Sequence, residues 1–381
     1  MNAADHDPAA APRHLWWPGV PLALASAALF GASTPFAKRL LGDMDPWLLA
    51  AMLYLGAGIG LWTVRRWARV LGDPAPEAPL RAADLPWLAA VILFGGMAGP
   101  LLLMFGLARM EASGAALLLN LEGLATMAIA WLVFRENVDR RLLLGALAIL
   151  AGAALLVWES GVALDTLRFD TGAALVAGAC LAWGIDNNLT RKLSAADPVQ
   201  IAMIKGFVAG GVNFALAWGW RQVEPPPVET WLEAGLVGLF GYGISVALFV
   251  AALRHLGVAR ASAYFSLAPF VGAVLALAIL DEPLTLKLLA AGALMALGLY
   301  FHLAERHEHE HVHEAMEHEH RHTHDEHHRH EHAPGGPPSE PHSHRHRHER
   351  LVHRHAHYPD LHHRHGHDGE DNAAPPAGRS K

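Results

Sequence analysis

Three ionisable side chains, Glu122, Asp186 and Lys205, interrupt long apolar stretches of this sequence. A charged group at the centre of a bilayer costs several kcal/mol, so such residues face a cavity, a partner or a solute. Glu122 is the eleventh residue of the apolar stretch 112–134, about 15 Å from either end at the usual helical rise. A carboxyl at that depth could exchange a proton. Lys205 lies seven residues after Pro198, roughly 10 Å into another stretch, and is expected to be the counter-ion of Glu122. Asp186, with Asn187 and Asn188, follows Trp183 by about one helical turn and offers oxygens to a cation or hydrogen bonds to a polar solute. Fainter candidates are Ser262 and Ser266, which share a helix face with Pro269, and Asn120. Each has a plainer alternative. Glu122 and Lys205 would serve as a structural ion pair, Asp186 would sit at a membrane mouth with Arg191, and Asn120 and the serines would be interhelical hydrogen-bond glue.

A second chemistry lies at the C-terminal end, where residues 304–381 carry 23 of the 27 histidines. The first block holds His307, His309, His311, His313, His318, His320, His322, His324, His327, His328, His330 and His332. The second holds His342, His344, His346, His348, His353, His355, His357, His362, His363, His365 and His367. Laid over one another from His307 and His342, the blocks match at eleven of the first block's twelve histidines, while only three of the fourteen other positions match. Imidazole spacing is retained while the fill has drifted. Neutral imidazole suits Zn, Ni, Co or Cu, and His-x-His puts ligands on one side of an extended strand. A divalent transition metal on the tail is therefore expected, with no cofactor otherwise required. Collective protonation as a pH sensor is the runner-up, and a solvated linker is the plainest reading. With few apolar residues to bury, the tail is expected to be disordered.

Residues upstream of the tail differ in kind. Ten apolar stretches, near 18–37, 45–63, 86–107, 112–134, 141–158, 170–190, 198–219, 229–253, 258–280 and 285–303, approach the ~20 residues that a membrane helix needs. Most tryptophans fall at their ends, as expected of interfacial rings; Trp183 is the exception, well inside the sixth. With the N-terminal segment 1–17 in the cytoplasm, twelve Lys/Arg of the connections lie inside and six outside, and an even number of spans returns the tail to the cytoplasm. The basic count is too low for a nucleic-acid partner, and Cys180 alone excludes an internal disulfide or a cysteine-built metal centre. The lipid bilayer and a small solute or metal ion are the expected partners; a homodimer is left open.

The stretch from Phe94, "FGGMAGPLLLMFGLARMEASGAALLLNLEG", lies over "FGYGISVALFVAALRHLGVARASAYFSLAP" from Phe240 at an offset of 146, pairing Gly95 with Gly241 and Asn120 with Ser266. At a slightly larger offset "GASTPFAKRL" after Phe30 meets "GIDNNLTRKL" after Trp183. Five spans per half is an odd number, so the halves, 18–158 and 170–303, would cross the membrane in opposite senses. Such inverted repeats allow one half to rock against the other around a midplane site. The expected fold is all-α and integral to the membrane: ten transmembrane helices in two inverted five-helix repeats.

Ten spans in two halves, each with a Leu-x-[Pro/Gly] turn followed thirteen residues later by Glu ("LEGLATMAIAWLVFRE" and "LAPFVGAVLALAILDE"), resemble the EamA-type drug/metabolite transporter superfamily. That resemblance implies a secondary transporter of the bacterial inner membrane that moves small metabolites without ATP, and no enzyme. The family often places Arg early in the second helix of each repeat, where this chain has Leu53 and Lys205. Three functions are weighed: a transporter whose cytoplasmic tail links transport to metal, a metabolite exporter whose tail only buffers metal, and a membrane-anchored metal store or sensor that moves nothing.

Overall fold

In hydrocarbon every backbone N–H and C=O must find its partner within the protein, and a continuous apolar sequence satisfies this as helix. The computed structural model describes residues 19–70, 80–134, 140–157, 170–193, 197–256, 258–303, 307–313, 316–322, 342–348 and 351–357. Residues 1–17, Glu136 and the histidines at 324, 327, 328, 330, 332, 362, 363, 365 and 367 lie outside them. The first half contributes α1 (Gly19–Leu40), α2 (Pro46–Val70), α3 (Leu85–Val91), α4 (Gly99–Leu107), α5 (Ala112–Leu118), α6 (Leu121–Phe134) and α7 (Arg140–Val157). The second contributes α8 (Thr171–Thr190), α9 (Pro198–Ala215), α10 (Val228–Val237), α11 (Ser245–Leu256), α12 (Val258–Phe265), α13 (Ala268–Ile279) and α14 (Leu286–Leu303).

Among the described residues, seven helical segments are long and apolar enough to cross a membrane: 19–40, 46–67, 82–107, 112–133, 140–157, 199–220 and 228–252. α8 is a 20-residue helix made less apolar by Asp186, Asn187 and Asn188. α13 and α14 are shorter apolar helices. Trp62, Trp131, Leu132, Val133, Leu147 and Trp220 point outward with more than half of their surface exposed, which water would penalise and lipid would not.

Four interruptions shape the bundle. π-helical turns join α3 to α4 (Ile92–Ala98) and α10 to α11 (Gly238–Ile244), and their first residues stand 146 positions apart, the offset of the sequence repeat. Tight turns at 119–120 and 266–267 break α5 from α6 and α12 from α13. Pro269 fits the second break because the first helical turn needs no partner for its amide. Close crossings are made with glycine, as is common between membrane helices. α1 meets α13 at Gly31 and Gly272, α2 meets α9 at Gly206 and Gly210, and α7 meets α14 at Gly145 and Gly298. A Cβ at Gly298 would stand 2.6 Å from the Gly145 carbonyl oxygen, so these backbones leave no room for a side chain.

The ends are tied by charge. The Lys38 ammonium donates to the carbonyls of Leu107 (2.6 Å) and Met110 (2.9 Å). Asp281, in the left-handed region at φ 52°, turns the chain after α13 so that the Glu282 carboxylate accepts from the amides of Ala112 (2.6 Å) and Ser113 (2.9 Å). Glu282 thereby supplies the cap that α5 lacks in its own half. At the other end Arg65 pairs with Asp197, which also caps α9 by accepting from Val199 and Gln200.

Four tail segments have extended backbone. β1 (His307–His313) pairs antiparallel with β4 (Leu351–His357), and β2 (Met316–His322) with β3 (His342–His348). In register, His307, His309 and His311 stand opposite His357, His355 and His353, and His318, His320 and His322 opposite His346, His344 and His342. Between them Glu310 faces Arg354, Glu317 faces Arg347, Glu319 faces Arg345, and Val312 faces Val352. Alternation with period two matches the strand repeat.

Candidate functional site

Five segments meet at a polar cluster within the apolar bundle. α8 is its axis, packing against α4, α6 and the 92–98 π turn. Asp186 is buried and forms an ion pair with Lys205 of α9, with side-chain exposures of 7% and 17% respectively. Thr190, one turn on, donates to the other Asp186 oxygen at 3.4 Å. The expected pairing of Lys205 with Glu122 is therefore corrected: Lys205 pairs with Asp186. Glu122 instead accepts a hydrogen bond from the Asn187 side-chain amide at 3.0 Å, and that amide also donates to Thr126 Oγ1 at 3.2 Å. Consecutive residues on a helix diverge by about 100°, so Asp186 turns to α9 while Asn187 turns to α6. Asn188 ties α8 to α6 by donating to the Thr126 carbonyl at 3.0 Å.

The π turn supplies the floor. The Gly95 carbonyl accepts from the Tyr54 hydroxyl at 2.6 Å and from Trp183 Nε1 at 3.1 Å. Trp183 thus departs from the interfacial tryptophans because its indole N–H has a buried acceptor, the arrangement a buried tryptophan needs. A side chain on Gly95 would collide with the Asp186 carboxylate and the Lys205 ammonium. Gly95→Ala is expected to force the pair apart and to lower transport by about tenfold or more, since overpacking a tight core costs about 1–3 kcal/mol. Gly211→Ala on the same bundle, where nothing lies within 4 Å of an added Cβ, should leave transport unchanged. Initial rates in proteoliposomes, compared at equal protein, read both.

Three expected residues stand apart. Asn120 lies in the turn after α5 and donates to the Leu117 carbonyl at 2.8 Å, capping the broken helix. Ser266 occupies the equivalent turn and donates its hydroxyl to the Ser262 carbonyl at 2.9 Å. Their hydrogen bonds, to Leu117, Met295 and Ser262, do not extend to Glu122 or Asp186. Among the described residues, no three His, Cys, Asp or Glu side chains gather to hold a metal ion.

The two halves are built alike around this point but are not charged alike. Where Gly95 abuts Asp186, its repeat equivalent Gly241 abuts Ser33, and a Cβ there would lie 2.6 Å from the Ser33 Cβ. Ser33 is the residue that the second sequence alignment matches to Asp186. One half presents a carboxylate to the other half's π turn; the reciprocal contact is neutral.

Two stretches, 17–158 and 170–304, match the EamA-like transporter family. The chain belongs to the EamA-like transporter family. An uncharacterized transporter of Methanothermobacter thermautotrophicus is 30% identical over 297 residues, covering 76% of this chain and 86% of the relative. A probable 4-amino-4-deoxy-L-arabinose-phosphoundecaprenol flippase subunit, ArnE, of Pseudomonas paraeruginosa is 42% identical over 111 residues, 29% of this chain and 92% of that protein. A solved structure described only as the crystal structure of a protein shares the fold at a TM-score of 0.55 and 17% identity, covering 74% of this chain and 96% of its own. As an EamA-like protein the chain is a multi-pass membrane transporter.

Sequence reading of this EamA-like chain missed Tyr54, Gly95 and Thr126. Tyr54 carried a signal, a hydroxyl at mid-span of an apolar helix. Gly95 acts through its carbonyl, which no side chain advertises, although its match to Gly241 in the repeat marked the position.

Proposed function

We propose that the protein is a secondary active transporter working by alternating access, with ten crossings in two inverted five-helix repeats, both termini in the cytoplasm, and a tail that holds a divalent transition metal. One observation carries the transport reading: the Asp186–Lys205 pair buried against the Gly95 turn, with Glu122 attached to the next residue of the same helix, Asn187. A buried ion pair gains little stability over apolar packing, so its retention in a lipid-embedded bundle favours a working site. Two successive family matches, the π turns 146 residues apart and the paired contacts of Gly95 with Asp186 and Gly241 with Ser33 support the duplication. Five candidate spans in the first half, an odd number, support its inversion.

Asp186, Lys205 and Glu122 would bind a polar solute together with a coupling proton or cation, and Asn187, Asn188, Trp183 and Tyr54 would orient it. Proteoliposomes loaded with a metabolite mixture or with Ni, Co or Zn, and challenged with a pH gradient, test this. Gradient-driven flux that Asp186→Asn abolishes is expected; absence of flux of any solute would leave a membrane-anchored metal store.

The ArnE likeness favours a second reading, movement of a lipid-linked amino sugar. An apolar crevice of about 350 Å³ between α2 and α10, lined by Met52, Gly56, Ile59, Trp231, Gly235 and Leu239, opens on the flank of the bundle and suits a hydrocarbon chain. Flux of a water-soluble solute in lipid-only vesicles would exclude it.

A further inference from the structure

We propose that Lys38 and Glu282 together latch a gate on the outer side of the Asp186–Lys205 site, and that this structure is the state closed there and open toward the inner side. The inference rests on the alternating-access reading above and adds the gate to it. Inner and outer follow that reading: Lys38, Asp45 and Glu282 mark the outer end of the bundle, Arg65 and Asp197 the inner.

Packing divides the helices into two bodies that do not follow the sequence halves. α1 crosses to the second half and packs on α11, α12 and α13, held close to α13 by Gly31 and Gly272. α8 crosses to the first half and packs on α4 and α6. Two seams join the bodies. α2 and α9 meet through Gly206 and Gly210 and are clamped at both ends, by Asp45 with Arg221 at 3.7 Å and by Arg65 with Asp197. α7 and α14 meet through Gly145 and Gly298. Backbones packed this closely have little freedom to part, so the seams act as hinges and opening must occur elsewhere.

Two repeat-related contacts remain. α5 and α12 begin at Ala112 and Val258, the offset of the sequence repeat, and lead into α6 and α13. On the outer side α13 packs along α5. The repeat equivalent, α6 along α12, is not made among the described residues: α6 packs on α8 and α7, and α12 on α1 and α11. Gly123 of α6, Asn187 of α8 and Ser262 of α12 are correspondingly exposed. The closed side is fastened by charge, and both fastenings reach from one body to the other. The Lys38 ammonium of α1 donates to the carbonyls of Leu107 and Met110 at the end of α4. The Glu282 carboxylate, just past α13, accepts from the amides of Ala112 and Ser113 at the start of α5. A cation on the carbonyl end of one helix and an anion on the amide end of the next both have the favourable sign, and hydrogen bonds to charged groups are the strong ones. Both must break before α5 can leave α13.

Single-cysteine labelling of the full chain in oriented vesicles tests the latch. In a Cys180→Ala background, Gly123→Cys should react with an impermeant maleimide mainly from the inner side. Adding Glu282→Gln leaves one acceptor and turns an amide NH2 against the second helix N–H. The outer-side rate should then rise about tenfold while the inner-side rate falls. A loss of stability alone would leave the ratio of the two rates where it was, and an unchanged ratio overturns the latch. Ser113→Cys, in the same background with Glu282 intact, tests the gate without altering the carboxylate. Ser113 is fully buried in the closed contact, so its labelling from the outer side should be slow and should quicken when a proton gradient turns the site outward. Equal rates with and without the gradient would overturn the gate. If neither cysteine responds to the gradient and Glu282→Gln also leaves Gly123→Cys unmoved, alternating access itself fails, a result distinct from loss of the latch alone.

Discussion

Lys205→Met is expected to stop transport and to destabilise the protein by about 3–5 kcal/mol, because it leaves the Asp186 carboxylate buried with no opposing charge. Asp186→Asn should do the same in mirror image, stranding the ammonium. The informative variant is the double one. Asp186→Asn with Lys205→Met removes both charges together, and replacing a buried pair by groups of similar volume is often neutral or stabilising. Thermal stability in detergent should therefore recover toward that of the unaltered protein while transport stays absent. Recovery of both would reduce the pair to a structural brace. The asymmetry between the halves sharpens the expectation, since the equivalent place near Gly241 manages with Ser33 and shows that this packing tolerates a neutral side chain.

Glu122→Gln should lose at least about tenfold in initial rate with little change in thermal stability. Glutamine keeps the shape and the carbonyl oxygen that accepts from Asn187, so the α6–α8 contact survives. What disappears is the ability to take up and release a proton or to balance a cation at mid-depth. Counterflow exchange, which needs no net proton movement, separates these roles: a variant defective in gradient-driven flux but competent in exchange places the coupling proton on Glu122. Full gradient-driven activity would remove Glu122 from the pathway.

Much of the fold was legible because lipid leaves few options. The expected stretch near 45–63 is α2, that near 141–158 is α7, and the breaks inside 112–134 and 258–280 fall at the Leu-x-[Gly/Pro] turns. Azimuth was not legible. α8 stands beside α6 and also carries Asp186 toward α9, so Asp186 takes the cation and Asn187 takes Glu122. Which helix intervenes is decided by glycine crossings such as Gly206 with the α2 backbone, and these leave only a loose signature in sequence. The tail carries two signals. Scarcity of apolar residues argued for disorder, while the period-two histidines and the glutamates and arginines placed to face one another argued for strands. Only pairing the blocks in reverse, instead of superposing them head to head, makes the second argument visible.

Access to the mid-bundle site from both faces of the membrane is what transport requires. Gly123 offers a probe, being exposed beside Glu122 with no atom within 4 Å of an added Cβ. A Gly123→Cys, Cys180→Ala protein in oriented membrane vesicles should react with an impermeant maleimide applied to either side, each rate shifting in opposite directions when solute or a proton gradient is supplied. Labelling from one face alone under every condition would contradict alternating access at this site.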